Sequence, residues 1–150
     1  MCYKSLLSQI EVLIKSQPNI ISVYANVSSF VYHEIANLNW VGFYLFDNSN
    51  LTVGPFCGKV ACSTIAPGKG VVGTCFLNKK TIVIKDVHKV INHIQCDNVT
   101  SSEVCIPLII NNHVIGVFDI DSPIINRFDD ALVLFLEKIV YFVTEYLKGD

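Results

Sequence analysis

The sequence predicts an α/β domain of the α+β kind, an antiparallel sheet flanked by N-terminal and C-terminal helices. Three observations carry this: apolar residues recur at helical spacing over residues 5–35, the period turns strand-like at Asn39, and helical spacing returns after Asp129. Leu6, Ile10, Leu13 and Ile14 mark a first helix over 5–15. After Pro18, Ile20, Val23, Tyr24, Val27, Val31 and Ile35 mark a second. Residues 40–46 are mostly β-formers and end at the turn signal Asp47-Asn48-Ser49-Asn50, so a strand leads into a hairpin. Residues 51–56 and roughly 58–62 read as the next strand material. Pro67-Gly68-Lys69-Gly70 then breaks the pattern before a short helix over 71–77. Residues 81–85 form another strand. Residues 86–102 have no sustained period, and an irregular connection of that length in a compact domain is usually functional. Residues 105–110 and 114–120 are β-rich and joined by Asn111-Asn112-His113, where asparagine tolerates positive φ, so these two strands lie side by side and antiparallel. Asp129 caps a closing helix whose apolar face is Leu132, Leu136, Ile139, Val143 and Leu147.

A chain of 150 residues is one ordinary domain and buries roughly two-thirds of its unfolded surface, so residues 1–150 are expected to form a single unit. Apolar residues make up 51% and charged residues 16%, which leaves no place for a solvating tail. The net charge is -2 and Arg127 is the one arginine, so the basic surface needed to follow a phosphate backbone is missing and no nucleic-acid partner is expected. The apolar runs are far shorter than the ~18 residues of a membrane span. Lys4, Glu11 and Lys15 interrupt the N-terminal apolar residues, so no secretory signal is read there and a cytoplasmic location is expected.

Six cysteines, at 2, 57, 62, 75, 96 and 105, are too sparse for a disulfide scaffold and lack paired zinc spacings. His88, His93, Cys96 and Asp97 lie close in sequence but match no standard ligand pattern, so no metal is expected. Asp119 and Asp121, two apart on a strand, share a face, where neighbouring carboxylates push one pKa upward. Flanking Phe118 and Ile120 argue against a solvated strand end. Trp40 and Tyr44, four apart, also share a face, as core aromatics or as pocket walls. Gly68-Lys69-Gly70-Val71-Val72-Gly73 matches the dinucleotide fingerprint literally, but a proline precedes it and no parallel-strand unit surrounds it. These glycines better serve a tight turn that exposes backbone N–H groups at a helix start, a seat for a carboxylate.

Four segments, Asn39-Trp40-Val41-Gly42-Phe43-Tyr44, residues 54–62 (Gly-Pro-Phe-Cys-Gly-Lys-Val-Ala-Cys), residues 68–74 and His93-Ile94-Gln95-Cys96-Asp97, are joined in register by Ser102-Glu103 and residues 116–122. Together, over about residues 39–128, they resemble the free methionine-(R)-sulfoxide reductase family. The resemblance implies a GAF fold with a small closed pocket for one free amino acid. It implies that Cys96 attacks the sulfoxide sulfur, that methionine leaves, and that the sulfenic acid is resolved by a second cysteine and then by thioredoxin. No bound cofactor is implied. Glu103, Asp119 and Asp121 would hold the substrate, and Trp40 and Tyr44 would line the pocket. A homodimer is suggested as well, although the N-terminal helices fit an intramolecular core equally.

The chain departs from the family pattern at Val72, where a resolving cysteine is usual. Cys62 matches another family cysteine and is the favoured partner of Cys96. Cys75, one helical turn from Val72, competes, and a third reading has Cys96 work alone with an external thiol. Cys57 and Cys105 stand at positions expected to hold other residues and read as packing thiols. Two rivals to a reductase remain: a GAF module that binds a small ligand and signals by shape, and a redox sensor using Cys62 and Cys96.

Overall fold

The computed structural model describes residues 2–91 and 96–149. Helices α1 (Tyr3–Lys15) and α2 (Ile20–Glu34) open the chain, and Asn19 caps α2 by accepting from the Ser22 amide at 3.1 Å. Strands β1 (Trp40–Phe46), β2 (Leu51–Gly58) and β3 (Thr64–Ile65) follow, then α3 (Gly70–Asn78), β4 (Ile82–Ile84) and a single 3-10 turn at Val87–Lys89. The chain closes with β5 (Ser102–Ile110), β6 (His113–Ser122) and α4 (Asp130–Lys148). One six-stranded sheet has the order β3-β2-β1-β6-β5-β4, with every adjacent pair antiparallel. That pairing removes the parallel-strand unit a dinucleotide fingerprint requires.

The period-2 alternation of β1, β5 and β6 divides the molecule into two layers. Val41 and Phe43, Val104, Ile106 and Leu108, and Phe118 and Ile120 point to one face and form the main core with α1, α2 and α4. Phe43 stacks on Phe118 at 4.5 Å between ring centroids, and both are fully buried. Burying each such ring contributes about 2–3 kcal/mol, so this face fixes the sheet register. Trp40, Tyr44, Cys105 and Val117 point to the opposite face, which α3 covers with Val71, Val72 and Cys75.

The expected strand at 58–62 does not form as such. β2 runs, with a bulge in its pairing opposite Gly42–Tyr44, to Gly58, which turns at φ +135°, and residues 59–63 lie between it and the two-residue β3. Glycine is the residue that allows this exit, and the result carries Cys62 off the sheet edge. β5 begins at Ser102, three residues before the expected start, which places Glu103 on the strand. Asn111 and Asn112 make the β5–β6 turn at φ +50° and +69°, as their tolerance of positive φ predicts. Asp129 caps α4 by accepting from the Leu132 amide at 2.8 Å. Among the described residues no helix is long and apolar enough to cross a membrane.

Candidate active site

A pocket opens on the α3 face of the sheet. Strand register builds its floor: Trp40 pairs with Asp121 and Gly42 with Asp119 across β1–β6, while Glu103 pairs with Asp121 and Cys105 with Asp119 across β5–β6. The three carboxylates are therefore neighbours on one face, drawn from two adjacent strands. Gly42 is required here. A Cβ at this position would collide with the Phe56 Cβ and come within 2.7 Å of Trp40 Cη2, so its absence lets Trp40 fold over the floor beside Asp119. Trp40 stacks on Phe56 at 5.1 Å and on Tyr44 at 5.8 Å. Both Trp40 and Tyr44 are buried in the second core and also line the pocket, so their two sequence readings hold together.

The start of α3 forms the opposite wall. Pro67 and Gly68 occupy the centre of a turn closed by the Lys69 amide on the Ala66 carbonyl at 3.0 Å, and Gly68 lies at φ +83°. Gly70, at φ +61°, begins the helix, and the Lys69 side chain provides no cap. The first-turn amides of Gly70, Val71 and Val72 thus have no partner within the helix, and these residues line the pocket. One end of the pocket carries a helix N-terminus, which favours negative charge. The other carries acids.

Glu103 and Asp119 are each only 5% exposed. Burial, reinforced by the neighbouring Asp121 charge, pushes Glu103 up to about 8. Burial and the adjacent carboxylates push Asp119 and Asp121 well above the usual carboxylate range. The cluster therefore retains protons near neutral pH and can donate them. Burial also pushes the Tyr44 phenol up, keeping it a neutral donor, and its hydroxyl donates to the Cys62 carbonyl at 3.0 Å.

Cys62 and Cys96 are joined by a disulfide with their Cα atoms 5.7 Å apart, and Cys96 lies on the pocket rim beside Asp97. Cys75 does not compete in this structure. Its buried thiol donates to the Lys80 carbonyl at 3.3 Å, and burial pushes it up to about 12. Val72 stands in the pocket wall, 4% exposed. Of the residues considered as metal ligands, His88 pairs with Asp86 at 2.9 Å, Cys96 is in the disulfide, and His93 lies outside the described residues.

A GAF domain model matches residues 25–147. The chain is 38% identical to the free methionine-R-sulfoxide reductase of Escherichia coli, over 97% of this chain and 92% of that protein. It belongs to the free methionine-R-sulfoxide reductase family. The yeast member, from Saccharomyces cerevisiae, is 39% identical over 95% of this chain and 83% of that protein. The X-ray structure of the Neisseria meningitidis member in complex with its substrate superposes with a TM-score of 0.94 at 31% identity, covering 97% of this chain and 88% of that one.

All seven site residues expected from the sequence, Trp40, Tyr44, Cys62, Cys96, Glu103, Asp119 and Asp121, surround this one pocket or join to its rim. Cys105 was read as a packing thiol, and it does more. Its sulfur lies 3.5 Å from Glu103 Oε2 and 3.4 Å from Asp119 Oδ1, so its one S–H proton is shared between the two acids beneath the pocket. The signal was available, since residue 105 lies two after Glu103 on the same strand and so shares its face. Glu103, Cys105 and Asp119 are also the described group whose donor atoms approach closely enough to hold a metal, within 4.8 Å of one another. The thiol set between the two acids already accounts for that approach.

Proposed function

We propose that the chain reduces free methionine-(R)-sulfoxide to methionine, with Cys96 as nucleophile and Cys62 as resolving thiol. The observation that carries this is the Cys62–Cys96 disulfide on the rim of a pocket whose floor is a cluster of three carboxylates, two of them buried, that retains protons near neutral pH. The pocket's polarity supports a zwitterionic guest. The α3 N-terminus faces a carboxylate, and an ionised member of the acid cluster faces an ammonium, two charges that a residue inside a peptide lacks. Trp40 and Tyr44 supply the apolar wall for a thioether side chain. The reaction begins from the reduced protein, because the sulfur of Cys96 is otherwise held by Cys62.

Cys96 thiolate attacks the sulfoxide sulfur while a carboxyl of the cluster protonates the sulfoxide oxygen. The S–O bond breaks, the oxygen passes to Cys96 as sulfenic acid, and methionine leaves, its sulfur reduced by two electrons. The Cys62 thiol then displaces hydroxide from Cys96–SOH, giving water and the disulfide. An external dithiol such as thioredoxin returns both sulfurs to thiols. No bound cofactor enters this scheme, and it suits a cytoplasmic protein, as a monomer or as a homodimer.

The test is to incubate protein reduced with dithiothreitol with each epimer of free methionine sulfoxide and assay methionine. Methionine from the R epimer alone is expected. None from either epimer would leave the ligand-binding or redox-sensing readings of the same domain.

A further inference from the structure

The start of β1 holds both halves of the sulfur couple. On the Cys62 side, Trp40 Nε1 donates to the Lys59 carbonyl at 3.1 Å and the Tyr44 hydroxyl donates to the carbonyl of Cys62 itself. On the Cys96 side stands Asn39, the residue just before the strand. Its Nδ2 donates to Asp97 Oδ2 at 3.2 Å and to Thr100 Oγ1 at 2.9 Å. Its backbone amide is fixed to the Asp121 carbonyl at 3.0 Å. The segment it grips is already a compact turn, because Asp97 Oδ1 accepts the Val99 amide at 3.0 Å and the Asp97 carbonyl accepts the Thr100 amide at 3.2 Å. Thr100 is buried. One amide group therefore clamps both ends of a turn whose first residue is bonded to Cys96. The clamp is joined through a single peptide to Trp40, which holds the other cysteine's segment.

We propose that Asn39 is a positioning residue for the Cys62–Cys96 couple: by holding the 97–100 turn against the start of β1, it sets the distance across which the two sulfurs meet. The consequence is an effective concentration. Two thiols on segments anchored to the same strand end meet far more often than thiols on loose segments, and this favours the disulfide over the dithiol. The inference rests on the relay proposed above. Its main test needs no substrate and so is separable from that reading.

The test is the equilibrium of the disulfide with dithiothreitol. Reduction opens the Cys62–Cys96 bond to two thiols, and dithiothreitol closes to its cyclic disulfide. Asn39→Leu keeps the side chain's bulk and removes the donor. Its disulfide is expected to be about tenfold easier to reduce, a potential about 30 mV less negative. In a single turnover with methionine sulfoxide, methionine release should be nearly preserved, while disulfide formation slows about tenfold and a sulfenic-acid trap captures more Cys96. A side chain that only supported the fold would lower the melting temperatures of oxidised and reduced protein alike and leave the potential unchanged. Should Asn39→Leu fail to fold, Thr100→Val removes one of the two acceptors with little change of shape and should shift the potential in the same direction. A folded Asn39→Leu or Thr100→Val protein whose potential matches the wild type overturns the proposal.

Discussion

Replacing Glu103 with glutamine removes a strongly raised carboxyl titration and should flatten the dependence of stability on pH. Burial and Asp121 raise Glu103 from an ordinary 4.5 to about 8. The folded protein thus holds a proton that the unfolded chain releases. For a raised acid the folded state binds more protons, so stability is fully present below about 4.5 and is lost as pH climbs through about 8. The gap of 8 − 4.5 = 3.5 units corresponds at most to ~5 kcal/mol, at ~1.4 kcal/mol per unit. Hydration and movement of the acid on ionisation reduce this, so we expect about 2–5 kcal/mol. Urea unfolding of the disulfide-linked protein, followed by fluorescence of its single tryptophan, Trp40, would be measured at about pH 5 and about pH 9. Part of the loss falls below pH 5, so across that interval wild type should lose more stability than Glu103→Gln by about 2–4 kcal/mol. Parallel losses, within ~0.5 kcal/mol of each other, would refute the argument that Glu103 enters the folded state protonated.

Cys62→Ser should release methionine in a single turnover yet form no intramolecular disulfide, as read by thiol counting after acid quench. A disulfide that persists would exclude Cys62 as resolver. Gly70→Val places a β-branched residue at φ +61°, a conformation costing about 1–3 kcal/mol, at the first residue of the α3 pocket wall. Its Michaelis constant should rise about tenfold with kcat less affected. Unchanged kinetics in a folded variant would remove the helix start from the binding site.

The periodic parts of this molecule were legible in the sequence. The alternation in β1 and β6 placed Trp40 with Tyr44 and Asp119 with Asp121 on common faces, and the Asn111-Asn112 turn identified the β5–β6 hairpin. The irregular parts were not. Gly58 ends β2 through a backbone angle that apolar patterning does not encode, so residues 58–62 read as strand. The clamp at Asn39 joins residues 58 and 61 positions apart, and a single asparagine before a strand carries no sign of so distant a partner. Cys105, read as a packing thiol, is one, fully buried in the second core, and its closeness to the acids adds to that reading. Its place on the Glu103 face could be read from the strand period, whereas its position opposite Asp119 needed the cross-strand register.

The placement of the two sulfurs along the chain would also make each turn of the proposed relay mechanical. Bonding Cys62 to Cys96 closes a ring of chain spanning 34 residue steps, within which lie α3 and the strands at both outer edges of the sheet, β3 and β4. On a chain-entropy account such a ring removes about 4 kcal/mol of freedom from the unfolded ensemble. The oxidised molecule is then the sturdier form and the reduced one, which starts the proposed relay, the softer. Loss of reductant would leave an idle population better protected from proteolysis than its active counterpart.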